Sequence, residues 1–590
     1  MKGESENRIH SVDSVSTTCQ NCKGSFTIEP DDFGFYEKIK VPPPTFCFDC
    51  RLQRKLTFVN ERALFKRKCD NCGKDTITMY SPRNPFRVFC TSCYNDRRNC
   101  LEYGIDLDFS KHFLAQFYEL FKKVPRLHLM HKNNNGEGCE YANHIYRSRR
   151  VYLSYTIVKS EDIYYSKQGL EGNKICLDSF NMKHSERGYE LVYVSRAYNS
   201  RFLIHSSRCI DSQYLLHCGD CNNCFMSHNL RHKSYVFRNQ QLTREEYFKE
   251  MKKIKLDSYT EQEKLKKEFS ELPRMTGPAQ VKAVVNVTGD FIGHSKNAKY
   301  CFSNVDTENS KYIVFGVNTI RDCYDLMFAG RSELCYECAG SGAQNNNVSF
   351  SLDIGANHEI NYCISTNNCG YCFGCVGITN QNYCILNKQY TKEEYEKLVP
   401  KIIKHMNQMP YVSKIGRVYK YGEFFPEEFS PFAYNESLAY EEFSMTKEEV
   451  LKEGYEWRDL EEKQYKTTID NRDLPDSVND VKDSILEEVI ACPNQGQTET
   501  KCTYGFRIVP DELRFYRLMK IPLPRLCPNC RYYERRKWLN PWKLWHRQCM
   551  CSKKNHFHGV EKCEVEFETS YAPERPEIVY CEKCYQAEMY

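Results

Sequence analysis

Cysteines in closely spaced pairs are the residues of this sequence with the clearest chemistry. Near the N-terminus four C-x2-C pairs supply Cys19, Cys22, Cys47, Cys50, Cys69, Cys72, Cys90 and Cys93. A C-x2-C turn lets two thiolates converge on one ion, and four thiolates complete the tetrahedron of a structural zinc site, with Zn–S distances of about 2.3 Å. We therefore predict two zinc modules here, each closed by two cysteine knuckles at the ends of a β-hairpin.

The same two modules recur near the C-terminus. A shift of 480 residues aligns 22–51 with 502–531 without a gap, and 13 of 30 positions are identical. The spacing of 17 residues between the two pairs of the second module is also kept. The alignment predicts that the C-terminal ligands are Cys492, Cys502, Cys527, Cys530, Cys549, Cys563, Cys581 and Cys584. The predicted cofactor is therefore zinc, with about four ions per chain.

Two positions of the C-terminal modules depart from the N-terminal pattern. Glu499 stands at the position that matches Cys19, so Cys492, displaced by a short insertion, is the predicted fourth ligand. In the last module an eleven-residue insertion separates Cys549 from Cys563. Alternative ligands in that stretch, which stay open on the sequence alone, are Cys551, His556 and His558.

The middle of the chain carries a separate duplication. The residues from Cys221 onwards align without a gap on those from Cys369 onwards, and an aromatic residue or Cys recurs about every 10–14 residues in both copies. Short strands at that interval predict a stacked β-solenoid, with a sandwich or barrel as the alternative. The central cysteine pairs could bind more zinc or an iron–sulfur cluster. Because the two copies do not keep the same cysteines, we interpret them as small buried hydrophobes.

The elements around these motifs predict a multidomain fold that is mainly β with helical connectors. Paired zinc ribbons at both ends flank a duplicated, β-solenoid-like centre of short strands. Capping boxes at Thr243, Thr391 and Thr446 predict helix starts, 110–124 reads as an amphipathic helix, and the lysine-rich 249–268 reads as a solvated linking helix. The predicted segments are a disordered tail (1–18), the N-terminal ribbon pair (19–99), a helical connector (100–131), the first β repeat (132–242), a helical linker (243–277), the second β repeat (278–390), a helical or irregular connector (391–484) and the C-terminal ribbon pair (485–590).

Composition excludes several classes of function. The start of the sequence lacks an apolar core, and no later run approaches the ~18–20 apolar residues of a membrane helix, so we expect a cytoplasmic protein without a membrane partner. In that compartment the 33 cysteines favour metal ligation over disulfides. No nucleophile–base pair, P-loop or dinucleotide-binding motif is visible, so no enzymatic activity is predicted.

Basic and aromatic residues interleave in the segments that join the two modules at each end. Residues 51–68 include seven Lys or Arg and one Glu, and residues 531–547 include three Trp. This mixture suits phosphate contact with base stacking, so nucleic acid is the predicted partner. Another protein is the alternative, in case the aromatic residues only pack the modules together. The predicted contact residues are Arg51, Arg54, Lys55, Arg62, Lys66, Arg67, Lys68, Arg535, Arg536, Lys537, Trp542 and Trp545.

Two resemblances agree with this interpretation. The stretch from Cys69 to Cys93, with TMYSPRNPFRVFCTSC, resembles the C-x2-C-x17-C-x2-C zinc-ribbon family of bacteria and archaea. The whole chain, with LPRLCPNCRYYERRK, NPWKLWHRQCMC and SYAPERPEIVYCEKCY, resembles a set of uncharacterised cysteine-rich proteins with several zinc ribbons from candidate-phylum bacteria. Some of that set carry a CoA-transferase label, but the nucleotide-binding α/β domain and carboxylate nucleophile of such enzymes are not recognisable here.

Overall fold

Two compact units make up the described part of the chain. The computed structural model describes residues 14–96, 100–132, 137–342, 344–459, 466–497, 499–554, 556–559 and 561–589. The first unit contains the chain up to His128, Ala279–Arg458 and Trp542–Leu544, and the second contains Leu129–Pro278, Asp459–Pro541 and the chain from Trp545. Each unit therefore combines one terminal ribbon pair with the central repeat that is more distant in sequence.

The N-terminal ribbons and the first β repeat are built from short strands and short helices. The N-terminal elements are β1 (Val15–Thr18), β2 (Ser25–Ile28), α1 (Pro30–Lys38), α2 (Phe48–Thr57), β3 (Phe65–Lys68), β4 (Asp75–Thr78), β5 (Val88–Phe89), α3 (Thr91–Asp96), α4 (Phe113–Lys123) and β6 (Arg126–Leu127). The first repeat contains β7 (His131–Lys132), β8 (Asn143–Tyr146), β9 (Arg149–Tyr152), β10 (Tyr155–Val158), β11 (Glu161–Tyr164), β12 (Lys167–Leu170), β13 (Lys174–Leu177), β14 (Phe180–Lys183), β15 (Glu186–Ser195), β16 (Tyr198–Ile204), β17 (Gln213–Leu216), β18 (Phe225–His228), β19 (Val236–Phe237) and β20 (Gln240–Gln241).

The second repeat has the same organisation and follows a helical linker. The linker contains α5 (Arg244–Met251), α6 (Tyr259–Ser270) and β21 (Met275–Thr276). The second repeat contains β22 (Val281–Lys282), β23 (Val285–Gly293), β24 (Lys296–Val305), β25 (Thr307–Lys311), β26 (Val314–Gly316), β27 (Ile320–Arg321), β28 (Tyr324–Ala329), β29 (Ser332–Glu333), β30 (Tyr336–Ser341), β31 (Asn345–Ser349), β32 (Leu352–Ile354), β33 (His358–Asn361), β34 (Gly370–Phe373), β35 (Asn382–Ile385) and β36 (Lys388–Gln389).

A connector and the C-terminal ribbons complete the chain. The connector contains α7 (Lys392–Gln408), β37 (Tyr411–Val412), β38 (Val418–Tyr419), α8 (Ala439–Glu442) and α9 (Lys447–Lys452). The C-terminal elements are β39 (Ile490–Ala491), β40 (Gly505–Phe506), α10 (Pro510–Met519), α11 (Pro528–Arg536), β41 (Trp545–Gln548), β42 (Glu566–Thr569), β43 (Ile578–Val579) and α12 (Glu582–Met589). No helix within the described ranges is long and apolar enough to cross a membrane.

Both central repeats are parallel β-solenoids, which confirms the predicted fold class and rules out the sandwich or barrel. In the first solenoid β10 pairs in parallel with β8 on one side and with β12 on the other, so each strand stacks on the coils before and after it. Every third residue, including His144, Arg147 and Arg150, has a left-handed φ near +50°. A non-glycine residue in that region costs on the order of 1 kcal/mol. The coil is therefore held by its bonds to neighbouring coils and not by local backbone preference.

Serine hydroxyls inside the coil satisfy the backbone where it turns. The Ser154 Oγ accepts the N–H of Ser166 at 2.9 Å and donates to the carbonyl of Tyr152 at 2.9 Å. The Ser166 Oγ does the same for the N–H of Ser179 at 3.0 Å and the carbonyl of Tyr164 at 2.9 Å. These serines are buried, so water cannot replace the bonds. The interior of each coil therefore requires small polar side chains at regular intervals.

The predicted helices are present, with one difference. The capping boxes at Thr243, Thr391 and Thr446 start α5, α7 and α9, and α4 buries the apolar face expected for 110–124. The lysine-rich stretch 249–268 is not one helix, because α5 ends at Met251 and α6 begins at Tyr259. The inner side of α6 packs into a core, so this stretch is only half solvated.

Most of the predicted disordered tail, residues 1–13, lies outside the described residues. Its last part is ordered, because β1 pairs antiparallel with β2 from Val15↔Ile28 to Thr18↔Ser25. This hairpin brings the chain into the first cysteine knuckle. The first module therefore begins before its first cysteine.

We expect Ser166→Ala to destabilise the first solenoid locally. The change leaves the buried N–H of Ser179 and the carbonyl of Tyr164 without the bonds that the hydroxyl supplies, which costs about 1–3 kcal/mol. Native-state hydrogen exchange should show the opening free energy of the adjacent coils falling by that amount. Ser234→Ala, at an exposed solenoid position, is the control and should change it by less than about 0.5 kcal/mol. Equal exchange in both variants would contradict a structural role for the serine ladder.

Candidate metal centres

Four groups of four cysteines converge in the structure, and they contain all sixteen predicted ligands. In each group the sulfur atoms lie within 4.8 Å of one another. The groups are Cys19, Cys22, Cys47 and Cys50; Cys69, Cys72, Cys90 and Cys93; Cys492, Cys502, Cys527 and Cys530; and Cys549, Cys563, Cys581 and Cys584. All 33 cysteines are free thiols, so no disulfide competes with ligation among the described residues.

The distances between sulfur atoms match the edges of a metal–thiolate tetrahedron. A zinc ion with Zn–S bonds of about 2.3 Å requires sulfur–sulfur edges of about 3.8 Å. The Sγ–Sγ distance is 3.7 Å between Cys22 and Cys47 and 3.8 Å between Cys72 and Cys90. In the C-terminal modules the distance from Cys563 to Cys581 is 3.9 Å. Each group therefore has the size and donor set of a closed four-coordinate site.

The two cysteine pairs of a module are positioned by different elements, which corrects the prediction of two knuckles on one hairpin. The first pair of the second module sits in a tight turn after β3, where Gly73 has a left-handed φ of 73° and its N–H bonds to the Cys69 carbonyl at 2.9 Å. The second pair lies at the start of a helix, because Cys90 directly precedes α3 and Cys93 lies in its first turn. A helix N-terminus stabilises negative charge, so it favours the thiolate form that binds metal.

The structure also shows which of the C-terminal candidates left open by the sequence converge into groups. Cys492 joins the third group, as the alignment predicted, and Glu499 lies outside that group. Cys549 joins the fourth group. The alternative ligands form a fifth group, which shares Cys584 with the fourth. In the sequence, Cys551, His556 and His558 could be recognised only as alternatives within the fourth group. The insertion that contains them was the one feature of the sequence that could have indicated a separate group.

The cysteines of the solenoids have a different environment. Burial raises the pKa of Cys176 and of Cys301 to about 12, which keeps both as neutral thiols. Each donates to a backbone carbonyl two residues earlier, at 3.3 Å for Cys176 and 3.4 Å for Cys301. Among the described residues no solenoid cysteine belongs to a group of metal-ligand size. Cys176 and Cys301 are therefore small buried hydrophobes.

Basic residues that follow the ligands in the first unit are buried in ion pairs. In α2, Arg51 comes directly after Cys50 and makes two bonds to the Asp325 carboxylate of the second solenoid, at 2.9 Å and 3.1 Å. One turn later, Lys55 donates to the Asp325 carbonyl at 2.6 Å. Arg54 lies 3.4 Å from the carboxylate of Glu337 and 3.4 Å from that of Glu423. Burial raises the pKa of Glu337 and lowers that of Lys55, so both carry a desolvation cost that the pairing must offset.

The second unit repeats this arrangement with its own residues. In α11, Arg531 follows Cys530 and lies 3.3 Å from the Asp178 carboxylate of the first solenoid. Arg535, one turn later, lies 2.8 Å from Asp178 and 3.2 Å from Glu190. A residue four positions along a helix lies on the same face, so both units present a basic pair to one buried aspartate. In each unit one helix therefore carries both the second cysteine pair of the first module and the basic residues of the ion pairs.

This geometry bears on the residues predicted to contact nucleic acid. Four of them are buried and their charges are paired inside the protein, with exposures of 2% for Arg51, 2% for Arg54, 1% for Lys55 and 3% for Arg535. These four are not accessible to a phosphate in this structure. The sequence could not reveal this, because the acidic partners are hundreds of positions away.

The remaining predicted contacts are partly or fully accessible. Arg62 pairs with Glu441 at 3.3 Å, and Arg67 bonds to Asp70 at 2.8 Å. The half-buried side chains are Arg62, Arg67, Arg536, Trp542 and Trp545, and the exposed ones are Lys66, Lys68 and Lys537. Lys66 and Lys68 alternate with half-buried side chains along β3, so the two ammonium groups share one face of that strand.

We expect Cys90→Ser to remove one metal ion per chain and to unfold the module 69–93. A serine hydroxyl is a poor replacement for a thiolate, and a module of this size depends on its metal for folding. Metal analysis of the full chain purified without added metal should show zinc, reduced by one ion in the variant. Cys301→Ser, at a buried solenoid position outside the metal groups, is the control and should keep the full count. Iron in place of zinc, or an unchanged count for Cys90→Ser, would contradict the assignment.

Removing one partner of the buried ion pairs should destabilise the first unit strongly. Arg51→Met leaves the Asp325 carboxylate buried with a weakened set of partners, at a cost of about 3–5 kcal/mol. The control is Lys38→Met, which breaks the exposed pair of Lys38 and Asp322 at 3.0 Å and should cost about 0–1 kcal/mol. Denaturant unfolding of the full chain measures both. A similar small effect for the two variants would show that the network contributes little.

Comparison with known proteins gives no assignment for this chain. A scan against models of protein families found no match, and a search of curated proteins found no significant match. What the protein does has to be inferred from the geometry of its sites, because no relative supplies a function.

Proposed function

We propose that this protein is a zinc-stabilised, non-enzymatic scaffold whose solenoid surfaces bind another protein. The observation that carries the proposal is that the helix carrying the second cysteine pair of each first module uses its basic residues inside the fold. Arg51 and Arg531 both extend from a ligand helix to a buried solenoid aspartate. Each ribbon pair is therefore held against its solenoid by these buried ion pairs, and metal binding stabilises the ribbon.

The donor chemistry supports zinc as the metal. Each of the four groups offers four thiolates, and soft sulfur ligands in a tetrahedron select zinc or iron–sulfur chemistry over hard cations such as Mg²⁺ or Ca²⁺. All four positions are taken by protein, which is typical of a structural site, whereas a catalytic zinc keeps one position for water or substrate. A structural role for the metal follows from this closed coordination.

The exposed surface supports a protein partner over nucleic acid. Four of the basic residues predicted to contact nucleic acid form ion pairs inside the protein instead. These four are the most deeply buried of the predicted contact residues. The first solenoid instead exposes apolar side chains on neighbouring coils, where Tyr198 is 40% exposed, Ile210 is 43% exposed and the two residues form a parallel bridge. Repeat proteins use such extended faces to bind other proteins.

Nucleic acid binding is the second candidate, and it has one specific observation in its favour. Lys66 and Lys68 lie on one exposed face of β3. Two ammonium groups on a strand can contact neighbouring phosphates without displacing any buried pair. This surface is much smaller than the twelve-residue surface predicted from the sequence.

A binding experiment at several salt concentrations separates the two candidates. We expect no salt-dependent binding of the full chain to mixed RNA and DNA, and we expect the partner protein recovered with the wild-type chain to be lost with Tyr198→Ser/Ile210→Ser. The control Lys401→Glu/Lys404→Glu changes charge on an exposed part of α7. If the wild-type chain binds nucleic acid, and Lys66→Glu/Lys68→Glu weakens binding and flattens its salt dependence while the control does not, the second candidate replaces the first.

A further inference from the structure

The last module contains a second group of possible metal ligands, and no other module shows one among the residues that the structure describes. Cys551, His556, His558 and Cys584 place their ligand atoms within 4.8 Å of one another, and Cys584 also belongs to the neighbouring group of four cysteines. We propose that this module binds two zinc ions bridged by the Cys584 thiolate. The inference rests on the proposed zinc function and adds a fifth ion to it.

Residues 556–559 of the insertion present both imidazoles to one thiol. His556 and His558 lie within a tight turn in which the N–H of Gly559 bonds to the His556 carbonyl at 2.9 Å, with Gly559 at a left-handed φ of 81°. The Nδ1 of His556 and the Nε2 of His558 each lie 3.4 Å from the Sγ of Cys551. A tetrahedral zinc with one sulfur and one nitrogen ligand requires an edge of about 3.6 Å between them. The three side chains are therefore at ligand spacing.

The outer nitrogen of each imidazole is held by an acceptor. The Nε2 of His556 lies 3.1 Å from a carboxylate oxygen of Glu588, and the Nδ1 of His558 lies 2.8 Å from the carbonyl of Glu561. An N–H that donates to a carboxylate or a carbonyl fixes the tautomer and leaves the lone pair on the other nitrogen. Metal-binding histidines commonly have this outer contact. Here it directs both lone pairs towards Cys551.

Hydrogen bonding alone does not satisfy this arrangement. The Cys551 side chain is fully buried, and its thiol carries a single proton, whereas two imidazole lone pairs face it. One nitrogen would keep an unused lone pair, which a metal ion would accept.

A bridging thiolate completes both coordination spheres. The fourth group already has four sulfurs, and the fifth has only three ligands of its own. Sulfur has several lone pairs, so one thiolate can bind two ions at once. The second zinc adds two positive charges and only one further thiolate, Cys551, so it lowers the negative charge of the buried cluster. The N-terminal module from Cys69 to Cys93 has no such insertion and should hold one ion.

Zinc analysis of the full chain, purified with zinc and freed of loosely bound metal, tests the inference. We expect five ions per chain, one for each group, and four for His556→Ala/His558→Ala. His546→Ala is the matched control, because His546 lies on β41 of the same module with a side chain 66% exposed, and it should keep five. Four ions in the wild-type chain would overturn the fifth site alone, whereas a count near zero would overturn the zinc function as a whole.

A spectroscopic measurement covers the case in which the histidine variant unfolds the module. Cadmium-113 replaces zinc in thiolate sites, and two cadmium ions that share a sulfur show scalar coupling between their resonances. We expect one coupled pair in the full wild-type chain, lost in Cys551→Ala. If the histidine variant loses two or more ions, the wild-type cadmium spectrum decides: coupling supports the bridge through Cys584, and only uncoupled resonances overturn it.

Discussion

The buried pairing between a helix that carries two cysteines of a candidate metal group and a solenoid aspartate is the interaction on which each unit depends. Arg51 and Arg531 each follow directly after a cysteine of a candidate metal group. A metal ion bound there would fix the helix end from which the guanidinium extends. A buried carboxylate such as Asp325 or Asp178 is strongly unfavourable without its cation. Loss of the metal would therefore disturb a small ribbon and also leave unpaired charge in the interface with the solenoid.

The solenoids impose a second constraint, because their backbone is unfavourable residue by residue. A left-handed φ at every third position, mostly on residues other than glycine, has no local explanation. Parallel ladders between coils and buried hydroxyls such as that of Ser166 compensate for it. Such a structure is stable only as a stack whose ends are covered. Antiparallel hairpins followed by the capped helices α5 and α7 close one end of each solenoid.

The two units are built alike, which indicates that the duplication included the contacts and not only the elements. Arg51 and Asp325 in one unit correspond to Arg531 and Asp178 in the other. In both units a two-residue strand of the second module pairs in parallel with a strand outside the module. β5 pairs with β6 in one unit, and β43 pairs with β21 in the other. Against this common plan the insertion after Cys549 stands out, since it brings ligands that have no counterpart in the N-terminal copy.

The sequence by itself predicted the four cysteine groups, the duplications and, with a sandwich or barrel as the alternative, the solenoid. Cysteine spacing is set by the geometry of one ion, and coil spacing by the length of one turn, so both are local and can be read along the chain. The capping boxes at Thr243 and Thr391 are local for the same reason. Even Cys492, moved by an insertion, could be assigned because three of its partners were already fixed.

Only the tertiary structure decided which ribbon packs on which solenoid and what the basic residues do. A basic residue such as Lys55 or Arg535 looks the same in the sequence whether it contacts a phosphate or a buried carboxylate. The partners of these two residues, Asp325 and Asp178, lie far away in sequence. The sequence could not indicate that Cys584 belongs to two groups, because its spacing to the other cysteines is already explained by the fourth group alone. Charge pairing and ligand sharing depend on distances in space between remote segments, and a sequence records only the distance along the chain.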